Sequence, residues 1–416
     1  MDHFQISMIV LGVLLVAGAL ISARVRRSFL SLTAIYVLVG FVLGRGGFDI
    51  LGFTAQSPFV EELAIVALVV ILFRDGLEVD GELLQKQWHL PLRKLVVAMP
   101  ITAVVIAAAG HWIVGLGWIE ALLLGSLLCP TDPVLSSSVV TNPRVPKMIR
   151  NSLNLESGLN DGLALPPVIA FSALLASGQD DFVWWRFLLE DVTIGLGAGV
   201  LLGMLASILL PRLPHEDIPA HQKVLFAVGV ALGTYGVLAL IGHGNPFIAV
   251  YVCAITLGLR RPDIERHVEE GASELVEIVK LGVFVVFGSI LTLPGLFAEG
   301  WAAVALVVIV LLVARPVSLW IALVGSRPPL DLPTKAFMAW FGPKGVATMT
   351  YSIFVLTAGV TGAVEITNLA ALCVLCSILV HGLTDGPGSD AISRHAARVR
   401  EEAEASGQPV PATARL

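Results

Sequence analysis

Apolar runs of about 20 residues recur along the whole chain, and the stretches between them are short and carry charge, proline or glycine. The pattern predicts thirteen spans, at roughly 4–23, 28–44, 58–77, 92–111, 119–141, 151–177, 187–210, 222–241, 245–259, 272–292, 299–324, 335–359 and 363–384. The ninth is short, and Pro166-Pro167 interrupts the sixth. The expected fold is an all-α polytopic membrane protein built from inverted repeats. A transmembrane domain would cover 1–384, and a short cytoplasmic tail, partly disordered, 385–416.

Two spans are broken in matching places. The fifth carries "CPTDPVL", residues 129–135, with an acid between Pro130 and Pro133. The twelfth reads "FMAWFGPKGVATMTYSI", with Gly342, Pro343 and Gly345 around Lys344. If spans one to six repeat as eight to thirteen, the fifth corresponds to the twelfth, and the two halves have opposite topology. Paired interrupted spans of this kind point to a transport site. Unwound backbone at membrane depth is tolerated only where it lines protein or a water-filled cavity. Half-helices that meet there leave partial charges at their ends. Asp132 is expected to offset exposed helix N-termini, and Lys344 exposed C-termini.

Composition agrees with the span pattern. The chain is 56% hydrophobic and 14% charged, with a mean hydropathy of +0.86; soluble domains hold about 25% charged residues. The net charge of −6 falls mainly on tail and loops and does not point to nucleic acid. Charge asymmetry sets the topology. With the N-terminus outside, the inner loops and tail hold twenty of the 26 Lys and Arg, Lys94 among them, and the outer loops only Arg45 and Arg186. The start "MDHFQIS" lacks a basic n-region, so the first apolar run is expected to stay as a span. The bilayer is the implied partner, in the plasma or inner membrane.

Four bases (Arg74, Lys280, Arg315, Lys344) and five acids (Asp75, Asp132, Glu156, Asp161, Glu277) fall within or at the edge of spans. Each costs about 2.5–3.5 kcal/mol at mid-membrane, so few are accidental. The excess of one negative charge suits one monovalent cation or one proton. The sixth span concentrates the acids in "NLESGLNDGLALPP". On a helix Ser157 and Asp161 share one face, and Glu156 and Asn160 the adjacent one. Oxygen donors of this sort are hard ligands for Na+, Li+ or K+, and no intramembrane histidine or thiolate cluster suggests a transition metal. Arg315, in "LLVARPVSLW", is the expected partner of Glu156, because a buried arginine needs a carboxylate. Asp161 has no comparable cation and is left for exchange chemistry. Glu277 and Lys280, one turn apart, either neutralise each other or place Glu277 in an inner entry funnel.

"PTDP" in one span, "ESGLNDG" in the next, then "ARP" and a late "GPKG", resemble the sodium/proton exchanger family, the antiporter-1 class of the cation:proton antiporters, over residues 4 to 384. The resemblance implies two crossing broken helices and electroneutral exchange of one cation for one proton by alternating access, with a homodimer and no cofactor. It implies Asp161 as the carboxylate that binds cation and proton in turn. Ser157 and the Thr131 carbonyl resemble cation ligands. Asn160 and Asp132 look like the pair that secures the crossing, Glu156 and Arg315 like the family's buried salt bridge, and Lys344 like its basic residue in the second broken helix. The third span departs from the family's "FEGGL"-like string. It reads "FRDGLEVD", so either Asp75 substitutes for the acidic ligand or that ligand is missing, and Arg74–Asp75 is equally readable as a structural charge pair.

Other features are read as plain structure. Cys373-x-x-Cys376 lacks a redox context and is expected to be two small helix residues. His89, His215, His221 and His267 are expected to be solvated loop residues. "ISRHAARVREEAEASG" suggests a surface helix, and "QPVPATARL" is expected to be disordered. Two rivals stay open. A proton-coupled transporter of small organic anions needs an uncompensated base at its centre. An intramembrane hydrolase would use Ser157 or the Ser136–Ser138 run, with Lys344 as its base.

Overall fold

The computed structural model describes residues 9–10, 12–17, 20, 32–79, 88–132, 139, 142–177, 183–210, 220–262, 264, 273–326 and 329–415. Among these residues there are helices and no strand, as an apolar chain without a closed barrel requires for its backbone hydrogen bonds. The principal helices are α1 (Leu32–Leu43), α2 (Pro58–Leu77), α3 (His89–Val114), α4 (Trp118–Leu128), α5 (Lys147–Ser177), α6 (Trp184–Leu209) and α7 (Ala220–Ile241). They continue with α8 (Pro246–Arg260), α9 (Ser273–Ile290), α10 (Gly300–Ala322), α11 (Leu332–Trp340), α12 (Val346–Thr357) and α13 (Ala363–Ala405). Six of them, α3, α5, α6, α7, α10 and α13, are long and apolar enough to cross a membrane.

The helices sort into two packed blocks. In one, α8 lies against α2, α6 and α7, and α9 against α1 and α2. In the other, α4 packs on α3 and α5, α10 on α3 and α11, and α13 on α12 and α4. The blocks meet where α2, α8 and α9 face α5 and α12. That seam carries the charged helices. α2 is apolar except for Glu61, Glu62, Arg74 and Asp75, and α5 holds the acidic run.

Three expectations need correction. Helix α5 runs unbroken through Pro166 and Pro167. Each proline removes one N–H, and neighbouring helices can make good that loss inside a membrane protein. Second, the boundary at 384 is not a break, because α13 continues to Ala405 through Pro387. The Ala-, Arg- and Glu-rich stretch beyond it has high helix propensity. Third, the end of the chain is packed. Thr413 and Ala414 are buried, and Lys147 N–H donates to Arg415 O at 3.0 Å, so the tail closes on the first residue of α5. Pro133, Ser136–Ser138, His215, His267 and several of the basic loop residues (Arg24, Arg26, Arg27, Lys86, Arg212, Arg266, Arg327) lie outside the described residues.

Two long helices contain a π turn beside a buried cation. Lys94–Ala98 is π-helical and begins at Lys94, and Val310–Ala314 is π-helical and ends just before Arg315. A π turn shifts the helical register by one residue and often marks a functional position.

Candidate functional site

The two breaks lie side by side and cross. Helix α4 ends at Leu128, because Pro130 has no N–H to continue it. The second break, residues 341–345, separates α11 from α12. Asp132 N–H donates to Pro343 O at 2.8 Å, which ties one unwound segment to the other. Asp132 Oδ2 accepts from Val346 N–H at 3.2 Å, placing its charge on the positive end of α12. Lys344 does the converse. Its Nζ lies 3.2 Å from Pro130 O and 3.5 Å from Cys129 O, at the carbonyl end of α4, and the residue is 1% exposed. Thr348 Oγ1 donates to Leu127 O at 2.8 Å, and Lys344 N–H donates to Ser377 Oγ of α13 at 2.8 Å. Gly345 is required by this approach, since a Cβ there would come 2.5 Å from Asp132 Oδ2.

Helix α5 supplies the polar face beside the crossing. Asn160 Nδ2 donates to Thr131 O at 2.8 Å and lies 3.0 Å from Thr131 Oγ1. This corrects the expected pairing of Asn160 with Asp132. In an extended segment successive side chains point to opposite sides, so Thr131 faces α5 while Asp132 faces α12. The Thr131 carbonyl is therefore engaged by Asn160, with one lone pair left over.

Glu156 holds two cations. Arg315 Nη1 lies 2.7 Å from Oε1 and Lys94 Nζ 2.5 Å from Oε2. Lys94 also donates to Ser152 O at 2.9 Å, and Arg315 Nη2 to Phe341 O at 3.0 Å, which links this cluster to the second break. Sequence reasoning placed Lys94 in an inner loop, but the residue is 2% exposed. Its position inside the start of the span at 92–111 was the available signal. Nothing in the spacing related it to an acid on another helix.

Asp161 lies at the seam between the blocks. It is 7% exposed, and its Oδ1 has no hydrogen-bond partner among the described residues. The charge of Asp75 on α2 acts on it, and those of Asp132 and Lys280 act on both. Ser157, one turn earlier, is half-buried. Arg74 does not close on Asp75 as the charge-pair reading expected. Its Nη2 lies 2.5 Å from Glu78 Oε1, one turn along the same helix. Glu277 is exposed, and among the described residues no ion pair joins it to Lys280, whose field falls on the two aspartates instead. The buried Asp, Glu, Lys and Arg side chains among the described residues are four carboxylates (Asp75, Asp132, Glu156, Asp161) and three cations (Lys94, Arg315, Lys344). One negative charge remains, through a different membership from that expected. Among the described residues no three His, Cys, Asp or Glu side chains close around a metal-sized point.

Crossing interrupted helices, opposed charges at their ends and a buried carboxylate beside them are the kind of arrangement in which transporters of inverted-repeat fold bind substrate and coupling ions. Residues 11–387 match the family described as "Sodium/hydrogen exchanger, transmembrane", and the chain belongs to that family. It is 27% identical over 401 residues to a K(+)/H(+) antiporter NhaP of Alkalimonas amylolytica, covering 93% of this chain and 67% of that one. It is 25% identical over 380 residues to a K(+)/H(+) antiporter NhaP2 of Shewanella sp. (strain ANA-3), covering 90% and 65%. A Na(+)/H(+) antiporter ApNhaP of Aphanothece halophytica is 27% identical over 328 residues, covering 73% and 61%. The chain thus spans about two thirds of the length of these relatives. The solved sodium proton antiporter MjNhaP1 of Methanocaldococcus jannaschii has the same fold, with a TM-score of 0.78 at 18% identity over 93% of this chain and 98% of that one.

Proposed function

We propose that the protein exchanges a monovalent cation for a proton across the cell membrane, one for one, with Asp161 as the shared site. One observation carries this reading. A buried carboxyl lies at the seam between two helix blocks, with one oxygen unpartnered among the described residues and within the field of a second acid. A lone buried carboxylate is costly unless it takes up a proton or a cation. Either occupant satisfies Asp161, and the two together do not fit one charge, so each displaces the other. Asp75, Ser157 and the spare lone pair of Thr131 O complete the cation's oxygen ligands, and Asp132 and Lys344 hold the crossing open. Na+ suits these donors, as do Li+ and K+; the names of the relatives include both Na+ and K+ antiporters. The asymmetry of basic residues supports an N-terminus outside and a C-terminus in the cytoplasm. Alternating access then exposes Asp161 to one side at a time.

The test is exchange in everted vesicles carrying a pH-sensitive dye. Adding NaCl, LiCl or KCl is expected to dequench it for the wild type, and Asp161→Asn to abolish the response while the protein remains folded in the membrane. Cation-dependent proton movement in that variant would overturn the assignment. A wild type that answers to none of the three salts favours an organic-anion carrier.

A further inference from the structure

The geometry points to Tyr251 as a positioning residue: its contact with α5 is the releasable catch between the two helix blocks, and the site-bearing helix slides past it when access changes sides. This rests on the alternating-access reading above and deepens it.

Tyr251 belongs to α8, in the block opposite α5. It is buried, and its Oη donates to Gly158 O at 2.9 Å. Its ring lies flat on Gly162, where a Cβ would collide with Cε1 and Cζ. Gly158 and Gly162 are one turn apart and share a face of α5, and Asp161 lies between them in the chain. Within its own block α8 lies close on α2: a Cβ on Gly76 would come 2.8 Å from the backbone oxygen of Tyr251. Its hydroxyl bond and its ring contact on α5 both fall on glycines, so neither is interlocked with a side chain there. Gly158 O sits inside a continuous helix and keeps its helical acceptor role when the tyrosine leaves, so release strands no buried carbonyl. Tyr351 makes the same kind of bond, Oη to Asp161 O at 2.8 Å, but from α12, which packs against the neighbouring helix α4 of the same block. One tyrosine bond crosses the seam and the other does not.

The experiment measures half-saturation for Na+ and for K+ from each face of the membrane, in right-side-out and everted vesicles holding the full chain. The ratio of the two constants follows the equilibrium between the two orientations. Tyr251→Phe keeps the ring and removes the bond, so the ratio is expected to shift about fivefold, equivalent to ~1 kcal/mol, at unchanged thermal stability. Tyr351→Phe is expected to leave the ratio where it is. An unchanged ratio in Tyr251→Phe, or an equal shift in Tyr351→Phe, overturns the proposal. As an independent test, Gly162→Ala is expected to stall exchange and Gly162→Ala with Tyr251→Ala to restore it. A double variant no better than the single one overturns the proposal equally. Wild-type exchange lost to Asp161→Asn stands as the separate control on the antiport reading.

Discussion

Lys94 Nζ lies 2.5 Å from Glu156 Oε2, the carboxylate oxygen not bonded to Arg315. One buried acid thus joins α3, α5 and α10. Breaking a buried pair by removing one partner costs about 3–5 kcal/mol, because a charge is left without compensation. Here the penalty depends on which partner goes. Arg315→Ala and Lys94→Ala each leave Glu156 one cation, whereas Glu156→Ala leaves two buried cations with none. Thermal unfolding in detergent is expected to rank Glu156→Ala as the least stable of the three. Equal losses for Glu156→Ala and Arg315→Ala would show that Lys94 does not share the acid.

Asp75 lies on α2, across the seam from α5, and its charge acts on Asp161. Asp75→Asn keeps the shape and removes the charge proposed as a cation ligand. A hydrogen bond or contact to a charged group is worth about 1.5–3 kcal/mol, so half-saturation for the cation should rise by roughly ten- to a hundredfold. Wild-type exchange is expected to be insensitive to an imposed membrane potential. Exchange that is driven by potential in the wild type and insensitive in Asp75→Asn would mean that Asp75 carries a second proton.

Gly345 admits Asp132 to the N-terminus of α12. Gly345→Ala should push the carboxylate off Val346 N–H and lower the exchange rate at least roughly tenfold, with protein still recovered from the membrane. Gly229, where a Cβ meets nothing within 4 Å, is the comparison, and Gly229→Ala should be neutral. Full activity in Gly345→Ala would remove Asp132 from the role of holding the crossing.

Asp331 caps α11 by accepting from Thr334 N–H at 3.1 Å and pairs with His395 of the α13 extension at 2.6 Å. Burial works to raise its pKa, but the bonds from His395 and Thr334 outweigh it and hold the carboxyl below the ordinary aspartate range. A depressed acid stabilises the folded state above its unfolded value, near 3.9, and that contribution is lost as pH falls through the lower folded value. From neutral pH down to about 5, this anchor of the tail should not weaken through Asp331. Asp331→Asn keeps a helix cap and loses the charge. At neutral pH it is expected to expose residues after 391 to limited proteolysis more readily than the wild type. Equal cleavage would remove the pair as the anchor.

The span pattern, the two interrupted helices and the acidic run on α5 could all be read from order along the chain. Each depends on local physics: hydropathy over a bilayer's thickness, the missing N–H of proline, and the spacing of side chains on a helix face. Even Glu156–Arg315 followed from the need of a buried arginine for a carboxylate. What partners what across the bundle was decided only by the packed helices. Lys94 looked like a loop base until α3 laid it against Glu156, and Arg74 chose Glu78, one turn away on its own helix. Asn160 took Thr131 rather than Asp132, because an extended segment presents alternate residues to opposite neighbours. Tyr251 carried no signal at all, since a tyrosine in an apolar run acquires a role only when a glycine of another helix lies under its ring. Sequence order encodes which groups are costly to bury, and tertiary packing determines which neighbours meet that cost.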